Sequence, residues 1–132
     1  MKRNDRVGGI AIVAAMAAVI ALGAQQTGFK RTVLQQGDLS APGREVVQVL
    51  AEIQPGAEAG KHTHPGEEIA YILEGTVTLE IQGKPGAMKK AGDVFIIPAG
   101  TVHNARNTGA TLAKVLATYV IEKGKPVATP VP

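Results

Sequence analysis

From Phe29 onward the chain is cut into short runs rich in β-branched residues by recurrent Gly, Pro and Asp, and this rhythm constrains the fold more than any other feature. Runs over 29–35, 46–53, 68–73, 76–82, 87–90, 94–97, 102–106 and 112–121 follow one another at spacings near ten residues. Several of them alternate apolar and polar residues with the period of two that places one side of a strand against a core. Gly37-Asp38 and Ala41-Pro42-Gly43 mark the turn region between the first two runs. No helical period of apolar residues occurs beyond the first 24 residues. Six to nine short strands in this arrangement predict an all-β sandwich or barrel.

At 132 residues the chain is one domain's worth. Residues 1–24 read as an export signal helix: Lys2, Arg3 and Arg6 precede an uncharged run from Val7 to Ala24, which ends in the small residues Ala21, Gly23 and Ala24. Cleavage there would leave a periplasmic or secreted protein with no stable membrane association; an uncleaved anchor is the alternative, since 18 uncharged residues sit at the lower edge of a spanning length. No twin-arginine pair is present, so export would be of the unfolded chain, with any metal acquired outside. Without cysteine, neither a disulfide nor a lipid attachment site is available. Losing the leader takes three cations and one anion, so the net charge of +3 falls to +1. No basic cluster longer than Lys89-Lys90 then survives, and aromatic residues for base stacking are nearly absent, which argues against nucleic acid as a partner. The compact domain is expected over 29–123. Residues 124–132, with three prolines between Lys125 and Pro132, are expected to be disordered.

The chemistry concentrates in His62-Thr63-His64-Pro65-Gly66-Glu67-Glu68. On an extended strand, imidazoles at i and i+2 share a side, and a carboxylate follows four residues later. The only other histidine, His103, lies 39 residues beyond His64 behind a Pro98-x-Gly100 turn, where a partner strand could bring it alongside. Three imidazoles and one carboxylate form a donor set for Fe, Mn, Ni, Cu or Zn. On the histidines alone, an exposed His-x-His pair with no ligand role remains the alternative.

The spacing around these residues carries more. Gly56, five residues, His62, one, His64, three, Glu68, six and Gly75 form one string; sixteen residues later Gly92, five, Pro98, one, Gly100, two, His103, three and Asn107 form a second. The two strings resemble the paired motifs of the cupin family, as found in small single-domain members of the RmlC-like type, and cover about half of the mature domain. The resemblance implies a double-stranded β-helix, or jelly-roll, barrel. It implies one divalent transition-metal ion held by His62, His64, Glu68 and His103, and pairing of two copies into a homodimer. Apolar residues on both sides of 46–53 and 112–121 suit such pairing. The glycines serve as turns, Pro98 stiffens the approach to His103, and Asn107 is expected to hydrogen-bond at the barrel end.

With the histidines inward, period two assigns the remaining positions. Ala70 and Ile72 join Glu68, whereas Ile69 and Tyr71 face the other way; Val77, Leu79 and Ile81 form an apolar stripe; Ala105 and Asn107 follow His103. Glu67 and Glu74 are read as solvated charges, Tyr71 as packing, and Arg106 as outward. The pocket is then aliphatic and holds no inward cation, which argues against a dicarboxylate substrate. Four protein ligands on an ion that accepts five or six leave room for a small molecule. Three functions compete: a metal-dependent dioxygenase acting on an enol, flavonol-like or diketone substrate, with Glu68 as the catalytic proton acceptor; a metal or small-ligand binding module without turnover; and a Lewis-acid isomerase or epimerase on a sugar or hydroxy acid.

Overall fold

The computed structural model describes residues 27–132. The expected signal helix over 1–24 lies outside the described residues. Ten strands follow in order: β1 (Phe29–Asp38), β2 (Arg44–Ile53), β3 (His62–Thr63), β4 (Gly66–Glu74), β5 (Thr76–Ile81), β6 (Ala87–Lys90), β7 (Val94–Ile97), β8 (His103–Arg106), β9 (Ala113–Glu122) and β10 (Thr129–Pro130). Among the described residues there is no helix, and none is therefore long and apolar enough to cross a membrane.

The strands form two five-stranded sheets, β1-β2-β9-β4-β7 and β10-β3-β8-β5-β6, with every pairing antiparallel. Alternation in the sequence becomes alternation in burial. On β2, Val47, Val49, Ala51 and Ile53 are buried while their neighbours are only partly covered, and β9 repeats the pattern with Ala113, Val115, Ala117, Tyr119 and Ile121. Two clusters fill the interior. One gathers Phe29, Ala51, Ile53, Ala70, Ile72, Val77, Ala113 and Val115; the other gathers Val47, Val49, Ala117, Tyr119, Ile121 and Val127. Burying each larger aliphatic side chain contributes roughly 1.5–3 kcal/mol, so these stripes hold the two sheets face to face.

The C-terminal residues depart from expectation. The tail over 124–132 is ordered: Val127 is fully buried in the second cluster, and Thr129 and Pro130 pair with Thr63 and His62. Proline composition suggested disorder, but one buried valine anchors the segment, and Pro130 occupies an edge strand, where its missing N–H interrupts no ladder.

Two glycines are required by close approach. A Cβ at Gly66 would collide with Val120 O and Ile121 Cα, so only glycine lets β4 begin against β9 directly after the histidine pair. Gly75 turns the chain from β4 into β5 with a φ of +73°, and a Cβ there would meet Leu112 O at 2.7 Å.

Candidate metal centre

Four elements deliver the four side chains. His62 opens β3, His64 lies in the link to β4, Glu68 sits on β4, and His103 opens β8 directly across from His62 in the β3–β8 register. The two motif strings thus meet as neighbouring strands of one sheet, with Glu68 reaching in from the opposite sheet. All four are buried, and one donor atom from each lies within 4.8 Å of the others. The ring centroids stand 4.7 Å apart for His62 and His64, 4.3 Å for His62 and His103, and 4.9 Å for His64 and His103. Gly100 N–H donates to His64 O at 3.0 Å, tying the loop before β8 to the first motif.

Backbone carbonyls set the tautomers. Nδ1 of His62 is 2.6 Å from Gly60 O, Nδ1 of His64 is 2.5 Å from Val127 O, and Nδ1 of His103 is 2.8 Å from Thr101 O. A carbonyl can only accept, so each Nδ1 carries a proton, and in the neutral ring Nε2 keeps its lone pair. Glu68 Oε2 is 3.0 Å from Nε2 of both His64 and His103. Lone pair against carboxylate at that distance is repulsive unless a metal ion or an extra proton sits between them. His64 Nε2 is moreover buried without a hydrogen-bond partner among the described residues. This group could hold one metal ion, and its three nitrogens and one oxygen suit a divalent transition metal.

The protonation states agree. Burial pushes the His62 pKa down to about 3, helped by His103, His64 and Arg31 and opposed by the Gly60 carbonyl, so the ring is neutral at physiological pH. Burial opposes ionisation of Glu68, but the contacts with His103 and His64 outweigh it and bring the carboxyl down to about 2. His62 is therefore offered to an ion as a neutral imidazole and Glu68 as a carboxylate, neither having first to shed a proton.

Beside the four donors lies a cavity of about 30 Å³, lined by His62, Glu68, His103, Arg31, Tyr119 and an aliphatic and aromatic wall that includes Phe29, Ile53, Leu79, Phe95 and Ala105. Arg31 corrects the expectation of a cation-free pocket: its Nη2 stands 3.5 Å from His62 Nε2. The signal was Phe29-x-Arg31, because buried Phe29 fixes which side of β1 faces in and period two puts Arg31 on that side. Tyr119 was also missed. Its ring lies 4.5 Å from that of His64, and burial, then the charge of Glu68, raise its hydroxyl pKa against the opposing effect of Arg31, so the phenol stays protonated.

The remaining positions fall as the alternation predicts. Ile69, Tyr71 and Glu67 are exposed. Glu74 is exposed and lies 3.5 Å from Lys114, while Arg106 turns outward to Glu58 at 2.7 Å and Glu80 at 3.1 Å. Asn107 is fully buried; its Nδ2 donates to Ile53 O and Thr111 O, and its Oδ1 accepts from Gly109 N–H, which locks the end of the barrel.

Comparison with known proteins accords with this geometry. A cupin-domain family model matches residues 49–119. An oxalate-binding protein of Thermotoga maritima is 39% identical over 71 residues, 53% of this chain and 58% of that protein. The HTH-type transcriptional regulator PuuR of Escherichia coli is 32% identical over 79 residues, 59% of this chain and 42% of the regulator, so the match spans less than two thirds of either relative's length. A double-stranded β-helix protein from Klebsiella pneumoniae superposes with a TM-score of 0.66 at 19% identity, covering 88% of this chain and 97% of that one. Matched over more than half of its length by the domain whose two motifs meet at its buried histidines, this chain belongs to the cupin family.

Proposed function

We propose that the protein binds one divalent transition-metal ion through His62, His64, Glu68 and His103 and acts through it on a small molecule seated in the adjoining cavity. The observation that carries this reading is the set of three Nδ1–H bonds to backbone carbonyls, which leaves three Nε2 atoms converging beside an ionised carboxylate. When bound, such an ion supplies Lewis acidity and, for its redox-capable members, electron exchange with dioxygen. The chain's own residues do the rest. The carbonyls hold the rings in one tautomer and orientation, the aliphatic wall keeps water out, and Glu68 is the carboxylate placed to take a proton from an enolic or acidic ligand. Within this class we read the protein as an enzyme of dioxygenase type. Binding without turnover is the second reading, favoured by the relative named as oxalate-binding. The same proposal has residues 1–24 removed on export, so that the ion is acquired in the periplasm or outside the cell.

Elemental analysis of the protein isolated from its native compartment tests the metal. One ion per chain is expected, with His62→Ala and His103→Ala both losing it; mutants that keep stoichiometric metal refute the ligand set. Dioxygen uptake on a panel of enol and diketone substrates separates the two functional readings, because a binding module consumes none.

A further inference from the structure

We infer that Arg31 is an anion clamp in this site and that the ligand it serves is a small monocarboxylate; the inference rests on the metal reading above and assigns its substrate class. The guanidinium comes from β1, far from both motif strings, yet lines the cavity together with His62, Glu68 and His103. Its Cζ sits 4.7 Å from the centroid of the Phe29 ring, a cation–π contact that fixes the head group without using its N–H donors. Arg31 Nε is buried and has no hydrogen-bond partner among the described residues. Its Nη2 is aimed at His62 Nε2, 3.5 Å away, which is the lone pair that a metal ion would occupy. With that lone pair engaged, the guanidinium faces the cavity with donors to spare and like charge behind it. Arg31 as a whole is half-buried, but a buried Nε without a partner is costly, and the two-pronged fork of the guanidinium matches a carboxylate.

The cavity limits what accompanies that carboxylate. The cavity measures only about 30 Å³, so the ligand is small. Among the described residues Arg31 is the only Lys or Arg in the lining, and beyond it the wall includes Ala51, Ile53, Leu79 and Phe95. A second carboxylate at the far end would be driven into that wall without a partner, which is unfavourable, whereas a short alkyl group fits it.

The test is titration of the cobalt(II)-loaded full chain with propionate, propionamide and succinate, followed by the visible absorption of the ion. Wild type is expected to bind propionate more tightly than succinate. Arg31→Gln should retain one cobalt per chain, weaken propionate about tenfold or more, and leave the response to neutral propionamide unchanged. Arg31→Lys, which keeps the charge but not the fork, should fall between; it carries the same comparison should the Gln variant fail to fold. Equal propionate affinity in wild type and variant overturns the clamp, and succinate bound as tightly as propionate overturns the monocarboxylate assignment. A wild type that holds no cobalt refutes the metal reading instead. Propionate binding to the metal-free chain then decides the clamp, with loss in Arg31→Gln supporting it and equal binding overturning it.

Discussion

Protonation of single side chains sets the acid limit of this fold. With the His62 pKa lowered from 6.5 to about 3, the unfolded chain takes up a proton between those values that the folded chain refuses. Stability therefore falls as pH drops through that window, by up to about 1.4 kcal/mol per pH unit. Glu68, lowered from 4.5 to about 2, acts with the same sign: the folded state favours its carboxylate, and that contribution is lost as pH falls from 4.5 toward 2. In chelator-treated protein the melting temperature should be level above pH 6.5 and decline below it. His62→Gln should flatten the stretch between 6.5 and 4.5, as thermal denaturation across a pH series would show. The donors were legible because three of them lie within seven residues at strand spacing and the fourth is the only other histidine. Arg31 was not, because its neighbour His62 lies 31 residues away, on a strand of the other sheet.

At the scale of elements, one of the two shortest strands carries a candidate ligand, His62. β3 has two residues and is held between β10 and β8. The C-terminal segment braces it threefold: Pro130 is in register with His62, Val131 N–H donates to Lys61 O at 2.9 Å, and Val127 O accepts from His64 Nδ1. Partners that orient a ligating histidine typically change metal affinity about 10–100-fold when lost. Removing residues 127–132 should therefore weaken metal binding by about that factor, measured by competition with a chromophoric chelator. Val127→Ala keeps the carbonyl and deletes only buried methyl groups, so it should cost roughly 1–3 kcal/mol in stability while leaving metal affinity within a few fold. A truncated chain with undiminished affinity would show that the tail only fills the core. Strand period and turn residues made eight of the ten strands legible. β3 and β10, at two residues each, are too short to show a period, and the tail's order depends on a pocket that distant strands build.

At the scale of the whole molecule, one outer face carries exposed apolar side chains among the described residues. Ile69 and Tyr71 on β4 and Val94 and Ile96 on the edge strand β7 are 46, 44, 63 and 64% exposed and surround a shallow apolar groove floored by Leu116. Contiguous apolar surface beside an unpaired edge is the kind that a second copy covers. Light scattering after size exclusion should give a dimer, and Ile96→Lys should convert it to monomer without changing metal content. The runs 46–53 and 112–121 lie in β2 and β9, interior to their sheet, and β9 contributes Leu116 to this groove. The sequence alone determined the β period, the turns and the identity of four potential donors, because these are local properties of spacing and side-chain chemistry. Only the tertiary structure decided which carbonyl orients each imidazole, that a guanidinium reaches the cavity, that the C-terminal segment is ordered, and which face of the described residues carries exposed apolar side chains. Each of these depends on groups tens of residues apart being packed side by side, and no local pattern encodes that.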